Sequence, residues 1–248
     1  MKLNKFVNQN TSLSRRKADN LVLTGHVKVN DKIVRQPYYH LQKNDKVKVN
    51  INDQFFTFIF PVENKKYYYA FYKPKGCLIT LEKNNTFTTL KDYLISNKIK
   101  ENVFYVGRLD YNSTGLLLLT NDGELANKIS HPRNEITKEY FVKTRNKIPK
   151  NIFKKIAKEK IIINNEVFSN PSFKNINYLT SRKMIKTEFS IIIKEGKNRH
   201  IHRLFEHFGY QVILIKRIAI GNLYLKDLNL KRGQIKKIDN ETINKVFE

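Results

Sequence analysis

A single cysteine, Cys77, among 248 residues leaves this chain without the means for an internal disulfide or a cysteine-rich zinc site. A reducing compartment fits that shortage. No apolar run approaches the ~18–20 residues that a membrane-spanning helix needs. The first residues, Met1-Lys2-Leu3-Asn4-Lys5-Phe6, hold no uninterrupted apolar core of signal-peptide length. The expectation is a soluble protein of the cytoplasm, with an organellar address left open. Acidic residues are the other shortage. Asp and Glu number 22 against 47 Lys and Arg, a formal net charge of +25. Such an excess bears on solubility and partners, not on fold. Its commonest meaning is a polyanionic partner, RNA or DNA. The abundance of Lys, Asn and Ile fits an AT-rich genome, but that drift does not enrich the acidic residues in step. The clustered acidic ligands of a metal-dependent nuclease are missing. So are internal repeats and low-complexity linkers.

What is present divides into a small front module and a larger remainder. Over residues 1–60, Leu3, Phe6 and Val7 have helical spacing, and Thr11-Ser12-Leu13-Ser14 breaks it. Ser14 can cap a second helix carrying Arg15, Arg16, Lys17, Ala18, Leu21 and Val22, with Gly25 ending it. Val27 to Val34 reads as two short strands around an Asn30-Asp31 turn, and Asp45 to Val49 as an alternating strand. Three cations, Arg15, Arg16 and Lys17, open the second helix, where its dipole disfavours them. Either they form a solvated face or a phosphate offsets the cost. This sequence of elements resembles the S4 RNA-binding domain, which implies RNA contacts from Arg15, Arg16 and Lys17.

Residues 61–66 make a polar connector, and residues 67–248 alternate strand and helix. Strands are expected at Tyr67–Tyr72, Leu116–Thr120, Lys138–Lys143, Thr187–Lys194 and Val212–Ile220. Helices are expected at Thr89–Ile95, Glu124–Ile129 (capped by Asp122), Asn151–Lys158 and Arg199–Phe208. The pattern argues an α+β domain built on a mainly antiparallel mixed sheet flanked by helices. Tyr67, Tyr68 and Tyr69 read as core rather than as base-stacking rings. The lysines from Lys147 to Lys160 read as a solvated face. His200, His202 and His207 are not spaced to share a metal on one helix face.

The densest signal is Gly107-Arg108-Leu109-Asp110, a charged pair set just after one apolar strand and before another. A carboxylate there is costly unless paired or used, which makes Asp110 the first candidate for chemistry. Two further strand ends carry cationic, glycine-containing loops: Lys73-Pro74-Lys75-Gly76 and Glu195-Gly196-Lys197-Asn198-Arg199-His200. The second opens a helix, whose amides favour anions. Their shared placement suggests one cleft.

In this order, and with Thr120 to Ala126, Lys138-Glu139-Tyr140 and the block from Phe208 to Gly221, these segments resemble the bacterial ribosomal RNA pseudouridine synthases of the RsuA/RluB type. With the front module, the resemblance covers nearly the whole chain. It implies isomerisation of one uridine in ribosomal RNA to pseudouridine, with Asp110 as the catalytic aspartate. Tyr140 would stack on the flipped uracil. Arg108 would hold the target nucleotide out of its stack. Lys197 would be the basic partner that keeps Asp110 anionic, with Arg199 a second candidate. Lys73 and Arg199 would contact RNA. Isomerisation needs no metal, electron carrier or group donor, so no cofactor is expected. The partner would be 23S rather than 16S ribosomal RNA, bare or in a pre-ribosomal particle, with no membrane and with the enzyme a monomer. The alternative on the same scaffold is a non-catalytic RNA-binding or ribosome-assembly factor. One departure stands out: His200 and His202 occupy positions that are usually polar or cationic, which raises the prospect of pH-dependent RNA affinity.

Overall fold

The computed structural model describes residues 1–11, 13–62, 65–181 and 184–248. Ser12, in the expected break, and Glu63 and Asn64, in the expected connector, lie outside the described residues. The chain forms two compact units, Met1–Lys65 and Lys66–Glu248.

In the first unit, helices α1 (Leu3–Asn10) and α2 (Arg15–Leu23) precede strands β1 (Val27–Val29), β2 (Lys32–Ile33), β3 (Lys46–Ile51) and β4 (Gln54–Ile59). The Ser14 hydroxyl accepts from the Lys17 amide, as a cap should. Asn30 and Asp31 both have positive φ, the backbone that a tight hairpin turn between β1 and β2 demands. One core closes the unit: Leu3, Phe6 and Val7 from α1 and Ala18 and Val22 from α2 pack on Val27, Val29, Val47 and Val49. Arg15, Arg16 and Lys17 remain exposed at the start of α2. Strand β4 is one that periodicity does not announce, because Phe55, Phe56 and Ile59 are exposed and give no buried face to read.

The second unit runs β5 (Tyr68–Lys73), α3 (Leu90–Ser96), β6 (Phe104–Val106), β7 (Thr114–Thr120), α4 (Gly123–Ser130), β8 (Lys138–Thr144), α5 (Lys150–Lys158), β9 (Ile161–Ile163), β10 (Glu166–Phe168), β11 (Ser172–Ser181), β12 (Met184–Ile193), α6 (His200–His207), β13 (Val212–Ile220), β14 (Leu223–Tyr224), β15 (Ile235–Ile238) and α7 (Asn240–Asn244). A nine-stranded sheet orders β11-β12-β8-β13-β7-β5-β15, with β14 beside β13 and β6 beside β7. Among the described residues its pairings are antiparallel except β13 with β7.

Strands β5 and β7 are buried on both faces, so they read as continuous apolar runs rather than as alternation. Tyr68, Ala70, Tyr72, Leu116 and Leu118 face a layer that includes α4 and α7. Tyr69, Phe71, Leu117 and Leu119 face α3. Over β8, β12 and β13, the face carrying Tyr140, Val142, Ile191 and Ile215 is covered by α5 and α6 through Phe153, Ile156, Ile201, Leu204 and Phe205. Burial of this size supplies most of the stability of such a unit, at roughly 25 cal/mol per Å² of apolar surface. Asp122 caps α4 by accepting from the Glu124 and Leu125 amides. A capping box joins Thr89 and Asp92 at α3.

Candidate active site

The segment from Val106 to Thr114 links antiparallel β6 and β7 and carries Arg108 and Asp110 out of the sheet. Leu109 between them points inward and joins the core under α5 and α6. That alternation leaves Arg108 and Asp110 exposed on either side of a buried anchor. The Ser113 amide donates to the Asp110 carbonyl at 3.0 Å and closes the turn.

Lys73 holds this loop from beneath. Its ammonium donates to the Ser113 carbonyl at 2.7 Å, Pro74 at 3.1 Å and Tyr111 at 3.2 Å. The Gly76 amide also reaches Tyr111, at 2.9 Å. This departs from the expected RNA contact, because the Lys73 side chain is fully buried. Burial pushes its pKa down to about 8, with Asp110 and Cys77 pulling it back up and Arg217 lowering it. The Lys-Pro-x-Gly motif therefore supports the Asp110 loop from inside the protein.

Gly115 follows with φ +114 and lies against β13 so closely that a Cβ would stand 2.2 Å from the Arg217 carbonyl oxygen. Arg217 is itself buried, and its Nε donates to Leu116 O at 2.7 Å.

Asp110 shares one small cavity, of about 70 Å³, with Arg108, Tyr140, Lys197 and Arg199. The three loops singled out from the sequence differ in their placing. Those at 107–113 and 195–200 meet at this cavity, while Lys73 lies below it. Tyr140 is buried to 8% exposure, and Ile193, Ile201 and Ile215 add apolar wall. Such a surface suits the flat face of a base, and the exposed carboxylate and guanidinium suit its sugar and phosphate.

The expected ion pair of Asp110 with Lys197 or Arg199 is absent among the described residues. Lys197 Nζ instead donates to the Val167 carbonyl, lies 3.2 Å from Glu195 Oε2 and sits over the Phe168 ring. Arg199 pairs with Glu206 at 3.2 Å, about two helix turns along α6. Arg108 makes no ion pair with Asp110 either. Local carboxylates have taken these cations, a competition that a motif does not reveal.

The cavity wall also holds His200, for which the sequence raised pH-dependent RNA affinity but which the structure buries. His200 is 4% exposed, packs edge-on against Phe168 at 4.7 Å, and has no hydrogen-bond partner on either ring nitrogen. Glu195 Oε1 stands 3.8 Å from its Nδ1, beyond a hydrogen bond. Burial pushes the imidazole pKa down to about 4, against the pull of Glu195. Burial would raise the Glu195 carboxyl, but the Ser169 amide and hydroxyl and Lys197 outweigh it and hold the group below the usual range. His202 is likewise lowered by burial and by Arg199, while Glu206 and Asp110 oppose the shift.

The chain is similar to known proteins over both units. The RNA pseudouridylate synthase family matches residues 67–207, and the S4 domain matches residues 1–47. An uncharacterized RNA pseudouridine synthase of Aquifex aeolicus is 30% identical over 246 residues, covering 99% of this chain and 96% of that protein. The ribosomal large subunit pseudouridine synthase B of Bacillus subtilis is 35% identical over 217 residues, covering 87% of this chain and 84% of its own. A crystal structure of a pseudouridylate synthase shares the fold, with a TM-score of 0.65 at 22% identity and 99% of each chain covered. Across β5 to α6, where the Asp110 loop, Tyr140 and the Lys197 loop all lie, the chain belongs by sequence to the RNA pseudouridylate synthases.

Proposed function

We propose that this protein isomerises one uridine of ribosomal RNA to pseudouridine, and that Asp110 carries the chemistry. The observation that carries the reading is the convergence of Asp110, Arg108 and Tyr140 on one cavity within a family of RNA pseudouridine synthases. The bond from the sugar to nitrogen 1 of the uracil breaks, the base turns, and a bond to carbon 5 forms. The hydrogen on carbon 5 leaves as a proton and nitrogen 1 gains one, so no electrons are exchanged. Asp110 assists at the target nucleotide, Tyr140 stacks on the extruded base, and Arg108 holds the nucleotide outside its stack. Lys197 and Arg199 supply positive potential at the rim, where each also has a carboxylate partner.

Large-subunit RNA is the favoured substrate, supported by the 35% identity to the Bacillus subtilis large-subunit enzyme. We assign residues 1–60 to an RNA-binding module with Arg15, Arg16 and Lys17 on phosphate, residues 61–66 to a connector, and residues 67–248 to catalysis. The protein acts as a monomer in the cytoplasm. Among the described residues, no helix is long and apolar enough to cross a membrane.

The test is tritium release from ribosomal RNA carrying uridine tritiated at carbon 5. Wild type should release tritium from 23S RNA, and Asp110→Asn should be slower by about 10,000-fold, the scale of losing a catalytic nucleophile or base. Tight binding by the wild type without release from either subunit's RNA would reject the enzyme and leave the ribosome-assembly factor.

A further inference from the structure

A second hollow in the second unit is larger than the Asp110 cavity. A groove of about 630 Å³ lies on the opposite face of the central sheet. The register fixes that placement. Tyr140, Ile191 and Ile215 face Asp110 and α6. The pairings Tyr72↔Leu116, Lys216↔Phe141, Phe141↔Ser190 and Ser190↔Lys174 put Tyr72, Lys216, Ser190 and Lys174 on the other side. Side chains alternate across a strand, so the two sets cannot share a surface.

The groove is cationic and underpaired. Lys174, Lys216 and Lys226 line it, with Glu139 as the one carboxylate in its wall. None of the three lysines is ion-paired among the described residues, and Lys216 and Lys226 rest instead over the Tyr72 and Tyr224 rings. Concentrating unpaired ammonium groups in one concavity is unfavourable unless an anion answers them, and a concave wall focuses their field. Tyr72 reports that field independently. Burial would raise its phenol, but Arg232 and Lys216 beside the hydroxyl outweigh burial and lower it. Lys216 also sits 5.2 Å above the Tyr72 ring, and the exposed amide of Asn229 adds a neutral donor at the rim. The volume lies within the ~300–1,000 Å³ of small-molecule and cofactor sites.

We propose that this groove is a second RNA-binding site, holding the phosphates of a single-stranded segment between Lys174, Lys216 and Lys226 on the face of the sheet opposite Asp110. A substrate anchored there is gripped beyond the nucleotide that enters the Asp110 cavity. Affinity would then come from one face and chemistry from the other.

The test uses the full chain and a fluorescent decauridylate, with anisotropy measured across a salt series. A readout of binding alone does not depend on uridine isomerisation, so failure of the catalytic reading leaves it intact. Replacing Lys174, Lys216 and Lys226 by Ala should flatten the log–log salt dependence by about 2, at roughly 0.7 per phosphate contact on a single strand. Replacing all three by Arg should restore the wild-type slope, which separates charge from folding. An oligonucleotide of the same length carrying 4-thiouridine should crosslink to peptides containing Tyr72 or Tyr224. An unchanged slope in the Ala variant, no binding by the wild type, or crosslinks confined to the Asp110 cavity would each overturn the proposal.

Discussion

Lowering the pH should cost this fold stability through one residue, His200. Its ring is 4% exposed, both nitrogens lack a hydrogen bond, and its pKa is held at about 4 against an ordinary value of 6.5. The sign follows from linkage. Below about pH 6.5 the unfolded chain takes up a proton that the folded chain refuses, so stability falls as pH falls, and the loss is complete below about pH 4. With those two values the loss is about 2 kcal/mol between about pH 7.5 and pH 5, and about 3 kcal/mol in full. The measurement is urea unfolding of the wild type and His200→Gln at both pH values, since other acid-sensitive groups such as Asp122 and Glu195 are common to both proteins. The wild type should lose about 2 kcal/mol more than the variant over that interval. An NMR titration of the imidazole should place its midpoint near the value given by burial. If the ring titrates above about pH 6, or the two proteins lose equal stability, the premise of a neutral buried imidazole beside Glu195 is wrong.

Other perturbations address the loop, the backbone and the RNA-binding module. Gly115→Ala should cost several kcal/mol in chemical denaturation, because its Cβ would lie 2.2 Å from a backbone carbonyl, whereas Gly123→Ala, with open space around it, should change stability by less than about 1 kcal/mol. Lys73→Met should lower the single-turnover rate at least about tenfold by releasing the Tyr111 and Ser113 carbonyls, while leaving RNA affinity within about twofold. A large loss of affinity with an intact rate would restore the direct RNA contact. Arg15→Ala with Arg16→Ala should flatten the salt dependence of binding to single-stranded RNA by about 1.4, and an unchanged slope would remove them from the interface.

Local chemistry was the most legible part of the sequence. Ser14 and Asp122 cap the helices they precede, and Asn30 and Asp31 take the positive φ their turn needs, whereas Thr89, read as helical, is the cap of α3. Those signals act over three or four residues, so neighbours in sequence suffice to read them. Strand β11 was not foreseen, because Ser172 to Ser181 is polar and bulged between Lys174 and Asn177. At the site, the family resemblance named Asp110, Arg108 and Tyr140 together, and one cavity is lined by all three. That resemblance was not enough for Lys73 and Lys197. A lysine in a glycine-containing loop looks the same whether it faces solvent or three carbonyls. That difference is set for Lys73 by a loop about 40 residues away, and for Lys197 by Val167 on β10. Long-range packing decides such partners, and no local pattern encodes it.

The close approach of Gly115 to Arg217 has a consequence in time. These two residues are 102 positions apart, and their contact seats the only parallel pairing found among the described strands. Before β13 exists, the β7 end that bears the Asp110 loop has β5 on one flank and nothing on the other. Parallel pairings of such separation form late, since the entropy of closing the intervening chain is spent before the contact rewards it. Until β13 is in place, then, the loop carrying Asp110 lacks its support on one flank. Final support for the Asp110 loop therefore waits on the pairing of β13 with β7, whatever else of the unit has already formed.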